Sequence, residues 1–140
     1  MHHVTCPYCG RKAELVKGVA IYGHHRPDLM YHNFWRCEPC GAHVGCHKGS
    51  FRPLGRLANA ELRKSKMAAH AAFDPLWKSG EMTRSEAYAW LASTLGISQA
   101  NCHIGMFDVD GCNAVIAAVA ERRYVANMER AYPHIKGEEA

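Results

Sequence analysis

The sequence predicts an α+β protein, with three short antiparallel strands near the N-terminus followed by a small helical unit of about three helices. Three observations lead there. Two cysteine pairs of identical spacing, Cys6-Pro7-Tyr8-Cys9-Gly10 and Cys37-Glu38-Pro39-Cys40-Gly41, bracket the first part of the chain. Short β-branched or alternating runs lie between and after them. Beyond Gly55, apolar residues recur at helical spacing and are interrupted by proline and glycine.

The paired cysteines set the chemistry. Two residues between sulfurs let both thiolates of a tight turn reach one ion at about 2.3 Å, and two such turns complete a tetrahedron. Gly10 and Gly41 suit the positive φ that such a turn needs after its second cysteine. Paired disulfides fit poorly, because two intervening residues make an awkward bridge and no apolar signal segment opens the sequence. A thioredoxin-like redox pair needs one Cys-x-x-Cys opening a helix after a strand, whereas here there are two, each in a turn. The reading is one structural Zn2+ on Cys6, Cys9, Cys37 and Cys40, with no ligand position left for water or substrate.

Residues 1–50 form the expected zinc ribbon. Ala13 to Lys17 and Val19 to Tyr22 read as strand segments punctuated by Gly18 and Gly23, and a polar, proline-bearing loop follows. Phe34 to Cys37 enters the second cysteine turn as a strand, and Ala42 to Cys46 leaves it as another. Of seven cysteines, Cys46, Cys102 and Cys112 remain as reduced thiols, with Cys46 or His43 the substitute ligand should one of the quartet fail. His24, His25 and His32 read as polar surface groups.

Residues 51–132 form the expected helical unit. A helix from about Arg56 to Phe73 aligns Ala58, Leu62, Ala69 and Phe73, with Leu76 continuing the line. Asp74-Pro75 interrupts it, and Asp74 is placed to cap a short restart from Pro75 through Leu76, Trp77 and Lys78. Thr83-Arg84-Ser85-Glu86 is a capping box for a helix ending at Leu95-Gly96, with Tyr88, Leu91, Ala92 and Leu95 inward. The last helix starts near Asp108 or Asp110 and runs to about Met128, turning Val109, Cys112, Val115, Ile116 and Val119 inward. The polar residues 133–140 read as a disordered tail.

Charge separates the function classes. The net charge of +4 is modest, yet Lys48, Arg52, Arg56, Arg63, Lys64 and Lys66 face a single acid, Glu61, between residues 48 and 66. That basic segment begins where the ribbon ends, which suits a phosphate backbone, and Tyr8, Phe34, Trp35 and Phe51 lie close enough in sequence to offer stacking to unpaired bases. An accessory module binding DNA or RNA is therefore the leading expectation. A protein-binding module acting on host transcription or replication machinery is the alternative, since a basic face also serves acidic protein surfaces. A metal-dependent nuclease built on His47, His70 and Asp74 ranks below both, because paired acidic metal ligands are missing. Asp108 and Asp110 at the start of the last helix argue against a helix-turn-helix reader. No apolar run is long enough to span a bilayer, and a cytoplasmic setting is expected.

Several long runs also resemble a known family. Phe34-Trp35-Arg36-Cys37 through Cys40-Gly41-Ala42 to Val44-Gly45-Cys46-His47-Lys48-Gly49, then Pro53 to Asn59 and His70 to Trp77, resemble the zinc-finger-containing domain family of phages and prophages. Glu86 to Leu91 and Cys102 to Asp108 are similar to that family's C-terminal half. The resemblance covers nearly the whole chain. It implies zinc on Cys6, Cys9, Cys37 and Cys40 and a bacterial or phage setting, and it supplies no reaction.

Overall fold

The computed structural model describes residues 3–133. It divides into two compact units, the first comprising residues up to Lys64 together with Gly105–Phe107, the second the remainder from Ser65. The expected polar tail lies, apart from Pro133, outside the described residues.

The first unit is built on three antiparallel strands, β1 (Glu14–Lys17), β2 (Asn33–Cys37) and β3 (Ala42–Gly45), in the order β1-β2-β3. Leu15 pairs with Trp35 and Val16 with Phe34, while on the other side Trp35 pairs with Val44 and Arg36 with His43. Because side chains alternate along a strand, this register separates two faces. Trp35, Cys37, Ala42 and Val44 lie in one apolar cluster with Cys6, Cys46 and Leu57. Phe34, Arg36 and His43 take the opposite face.

That opposite face corrects one expectation. Val19–Tyr22, read as a strand, is the one-turn helix α1. Its β-branched and aromatic residues favour a strand locally, but the second face of the sheet needs a cover, and packing overrides propensity. Tyr22 supplies the cover, its ring centroid 5.8 Å from Phe34 and 5.6 Å from His43. Gly18 permits the tight entry, since a Cβ there would fall 1.8 Å from the Leu29 carbonyl oxygen.

After β3 the chain folds back on itself. Leu54 N–H donates to the Gly45 carbonyl at 2.9 Å, and Ala58 exchanges both backbone hydrogen bonds with His43 at 3.0 and 3.1 Å. The Arg56 N–H donates to the Gly105 carbonyl at 3.2 Å. These bonds explain the second correction: α2 spans Ala60–Phe73 rather than starting at Arg56, because the backbone of residues 56–58 is already paired. Asn59 then caps the helix, its Oδ1 accepting from the Leu62 N–H at 2.9 Å.

The second unit holds the later turns of α2, the one-turn α3 (Pro75–Lys78), α4 (Arg84–Leu95) and α5 (Val109–Ala131). Asp74 does not act as a cap. It stays helical at φ −59° and ψ −32°, its N–H bonded to the His70 carbonyl, so the helical path continues up to the proline. The capping box at Thr83 and Glu86 is complete, at 3.0 and 2.8 Å, and Gly96 closes α4 in the left-handed region. Asp108 caps α5 by accepting from the Gly111 N–H at 2.8 Å. Phe73, Leu91, Ile104, Cys112, Val115 and Val119 are fully buried in this unit. No helix among the described residues is long and apolar enough to cross a membrane.

Candidate metal centre and basic surface

The first cysteine turn is shaped by its backbone. Cys6 N–H donates to the Arg11 carbonyl at 2.8 Å and Gly10 N–H to the Cys6 carbonyl at 2.9 Å, with Gly10 at φ +77°. The second turn repeats the device, Gly41 standing at φ +62° with its N–H bonded to the Glu38 carbonyl at 3.0 Å. A left-handed residue reverses the chain within one turn at little cost only when it is glycine.

Together the turns bring the Sγ atoms of Cys6, Cys9, Cys37 and Cys40 within 4.8 Å of one another. Cys9 and Cys37 are 3.6 Å apart. A zinc tetrahedron with bonds of about 2.3 Å has edges of about 3.8 Å, so the donor set fits the ion in chemistry and in size. None of the seven cysteines is in a disulfide. Cys6 and Cys37 are buried against Trp35, Ala42 and Leu57, whereas Cys9 is exposed. The four cysteines are placed to hold one structural Zn2+.

The neighbouring thiols shift one another in opposite directions. The Arg11 backbone N–H, helped by neighbouring thiols, brings the Cys9 thiol down to about 7. Cys40, which donates to Cys9 and is partly desolvated, is pushed up to about 12. Four thiolates this close repel one another, and a divalent cation is what makes them compatible.

The other thiols and histidines stay apart from it. Cys46 is buried in the adjacent apolar cluster, and burial pushes its thiol up. His43 packs edge-on beside both Tyr22 and Phe34, where burial first, then Arg63 and Arg36, hold its imidazole down at about 4. Cys102 and Cys112 are buried thiols of the second unit. His70 and Asp74 are brought together, Nδ1 lying 3.2 Å from the carboxylate, while His47 belongs to the first unit.

The basic residues divide by exposure. Lys48, Arg52 and Lys64 are exposed. Arg56, Arg63 and Lys66 are half-buried. Arg63 Nη1 donates to the Ala58 carbonyl at 2.6 Å and to the Gly41 carbonyl at 3.4 Å, which ties the start of α2 to the second cysteine turn. Of the aromatic residues near the metal, Phe34 and Trp35 are core, and Trp35 Nε1 donates to the Phe51 carbonyl at 2.6 Å. Tyr8 and Phe51 remain exposed.

Sequence reasoning passed over two features. Tyr31, in the polar loop before β2, is 80% exposed. Its only signal was an aromatic residue in a stretch with no apolar period to explain it. In the second unit, Arg122, Arg123 and Arg130 line a groove of about 390 Å³ beside Pro75 and Ser79. Arg122 there pairs with Glu81 at 3.2 Å and lies over the Trp90 ring.

The chain matches the sequence pattern of a family described as a zinc-finger-containing domain over residues 2–122. No curated protein and no solved structure matched it.

Proposed function

The chain belongs to the zinc-finger-containing domain family, and from that premise we propose that it is a zinc-stabilised, non-enzymatic module that binds nucleic acid through a basic surface. Its setting in this reading is the bacterial cytoplasm, as an accessory to DNA or RNA transactions of a phage or prophage. The observation that supports it most is the tie made by Arg63. One cation of the basic segment is spent on the carbonyls of Gly41 and Ala58, so the metal fold itself carries the start of α2. Lys48, Arg52 and Lys64 of the same unit then stand exposed for phosphate oxygens. Four thiolates close the metal to substrate, which favours a structural ion over a catalytic one.

The test is binding of zinc-loaded protein to labelled single-stranded DNA, duplex DNA and RNA by fluorescence anisotropy across a salt series. Affinity should fall steeply with salt. Replacing Lys48, Arg52 and Lys64 together by Glu should flatten the log–log slope by about 2 to 3, as each lost phosphate contact removes about 0.7 to 0.9. Absence of binding to every nucleic acid at low salt overturns the reading. Capture of one host transcription or replication protein, with indifference to nucleic acid, would then establish the protein-binding alternative.

A further inference from the structure

A groove of about 330 Å³ opens in the first unit between residues 27–33 and the turn His47-Lys48-Gly49. That volume lies at the lower end of small-ligand sites, which run from about 300 to 1,000 Å³. Its wall is polar and fixed. His32 Nε2 lies 3.1 Å from the Cys46 carbonyl, and Asn33 accepts from Lys17 Nζ at 2.7 Å. The turn on the far side is held by Ser50 N–H on the His47 carbonyl at 3.0 Å and His47 N–H on the Arg52 carbonyl at 2.9 Å.

Three side chains of the groove have no such employment. Tyr31, His47 and Lys48 make no side-chain hydrogen bond or ion pair among the described residues. A largely exposed tyrosine is an unusual lining for a polar groove, because its ring gains nothing from water. The charge of the groove is also one-sided. Its single acid, Asp28, is held by Arg26 through contacts of 3.1 and 2.9 Å, which keep its carboxyl below the usual range. Among the described residues Lys48 has no carboxylate partner, and Gly49, at φ +70° with open space where a Cβ would stand, leaves the turn unfenced.

An aromatic face, a ring nitrogen and an ammonium around one small groove match the three parts of a nucleotide. We propose that this groove seats one unpaired nucleotide, with its base on the Tyr31 ring, its phosphate at Lys48 and a polar edge at His47, so that single strands are preferred over duplex. A base pair cannot offer a face to Tyr31 without leaving its stack, whereas an unpaired base can. The inference rests on the nucleic-acid reading above and adds strandedness to it.

The experiment uses the zinc-loaded full chain with labelled oligothymidylate, oligouridylate and a duplex of matched length, with Tyr31→Ala, Tyr31→Phe and Lys48→Ala as variants. Tyr31→Ala should weaken single-strand binding about fivefold or more and change duplex binding less than twofold. Tyr31→Phe, which keeps the ring, should retain single-strand affinity. Lys48→Ala should flatten the single-strand salt slope by about 0.7. The cobalt-substituted spectrum of each variant reports whether the four-thiolate site, and so the unit, is intact. Equal affinity for strand and duplex, or an unchanged single-strand affinity in Tyr31→Ala, overturns the groove while leaving the nucleic-acid reading standing. No binding by the unaltered chain overturns both.

Discussion

At the residue scale, His43 shows how a side chain chosen for one reason can matter for another. Its four-residue spacing from His47 and its place beside a cysteine turn made it a reserve ligand in the sequence. In the fold it packs in an aromatic niche with Tyr22 and Phe34, with Arg63 and Arg36 as charged neighbours. Burial and like charge both disfavour the imidazolium, so its folded-state value of about 4 lies below the 6.5 of a solvated histidine. The sign follows from linkage. The unfolded chain binds the proton first, so the niche stabilises the fold fully above pH 6.5 and progressively less as pH falls towards 4. Allowing for partial solvation of the ring, the slope is about 1 kcal/mol per pH unit at most. Thermal unfolding of zinc-loaded His43→Phe and of the unaltered chain between pH 7.5 and 5, an interval chosen to bracket about the first half of that transition, should show a smaller decline in the variant. Thiolate protonation is common to both proteins, so their difference isolates the histidine. Equal declines would show that the niche does not set the titration.

Elements were legible wherever the local signal and the tertiary requirement agreed. Thr83 and Glu86 form the predicted capping box, Gly96 closes the helix it was expected to close, and Leu62, Ala69, Phe73 and Leu76 are buried as their spacing predicted, whereas Ala58 is buried ahead of the helix, paired with His43. The misreadings arose where a distant partner decided. Val19 to Tyr22 became a helical turn because Phe34 and His43 needed a cover, and Arg56 to Asn59 stayed out of the helix because Gly105 and His43 claimed the backbone of Arg56 and Ala58. The cysteine quartet was readable because its chemistry is written in spacing, whereas Tyr31 gained interest only once the turn at Lys48 stood opposite it. The Gly55 strap carries its own prediction. A Cβ there would meet the Gly105 carbonyl oxygen at 2.3 Å, backbone against backbone, while a Cβ on Gly105 would meet the Leu54 oxygen at 3.3 Å. Gly55→Ala should therefore cost about 2 kcal/mol or more in urea unfolding, and Gly105→Ala clearly less. The reverse order would show that the strap yields easily at Gly55.

For the whole molecule, the decisive asymmetry is that, among the described residues, the four-cysteine site lies in the first of the two units. The first unit surrounds the quartet with a small cluster in which Cys6, Cys37 and Cys46 are themselves core residues, so removal of the ion leaves a core too small to hold three short strands. The second unit buries Phe73, Leu91, Ile104, Val115 and Val119 in an apolar core of its own. Chelation should therefore unfold the sheet while most of the helical circular dichroism, carried by α4 and α5, persists, and the proposed nucleic-acid binding should vanish with the sheet. Cys37→Ser should reproduce the chelated state, and Cys46→Ser should keep one zinc per chain, because Cys46 lies outside the quartet. Hydrogen exchange separates the outcomes, since amides of β2 should lose protection on chelation and those of α4 should keep it. Loss of both at once would mean that the metal holds the entire chain, through α2, which begins in the first unit and ends in the second.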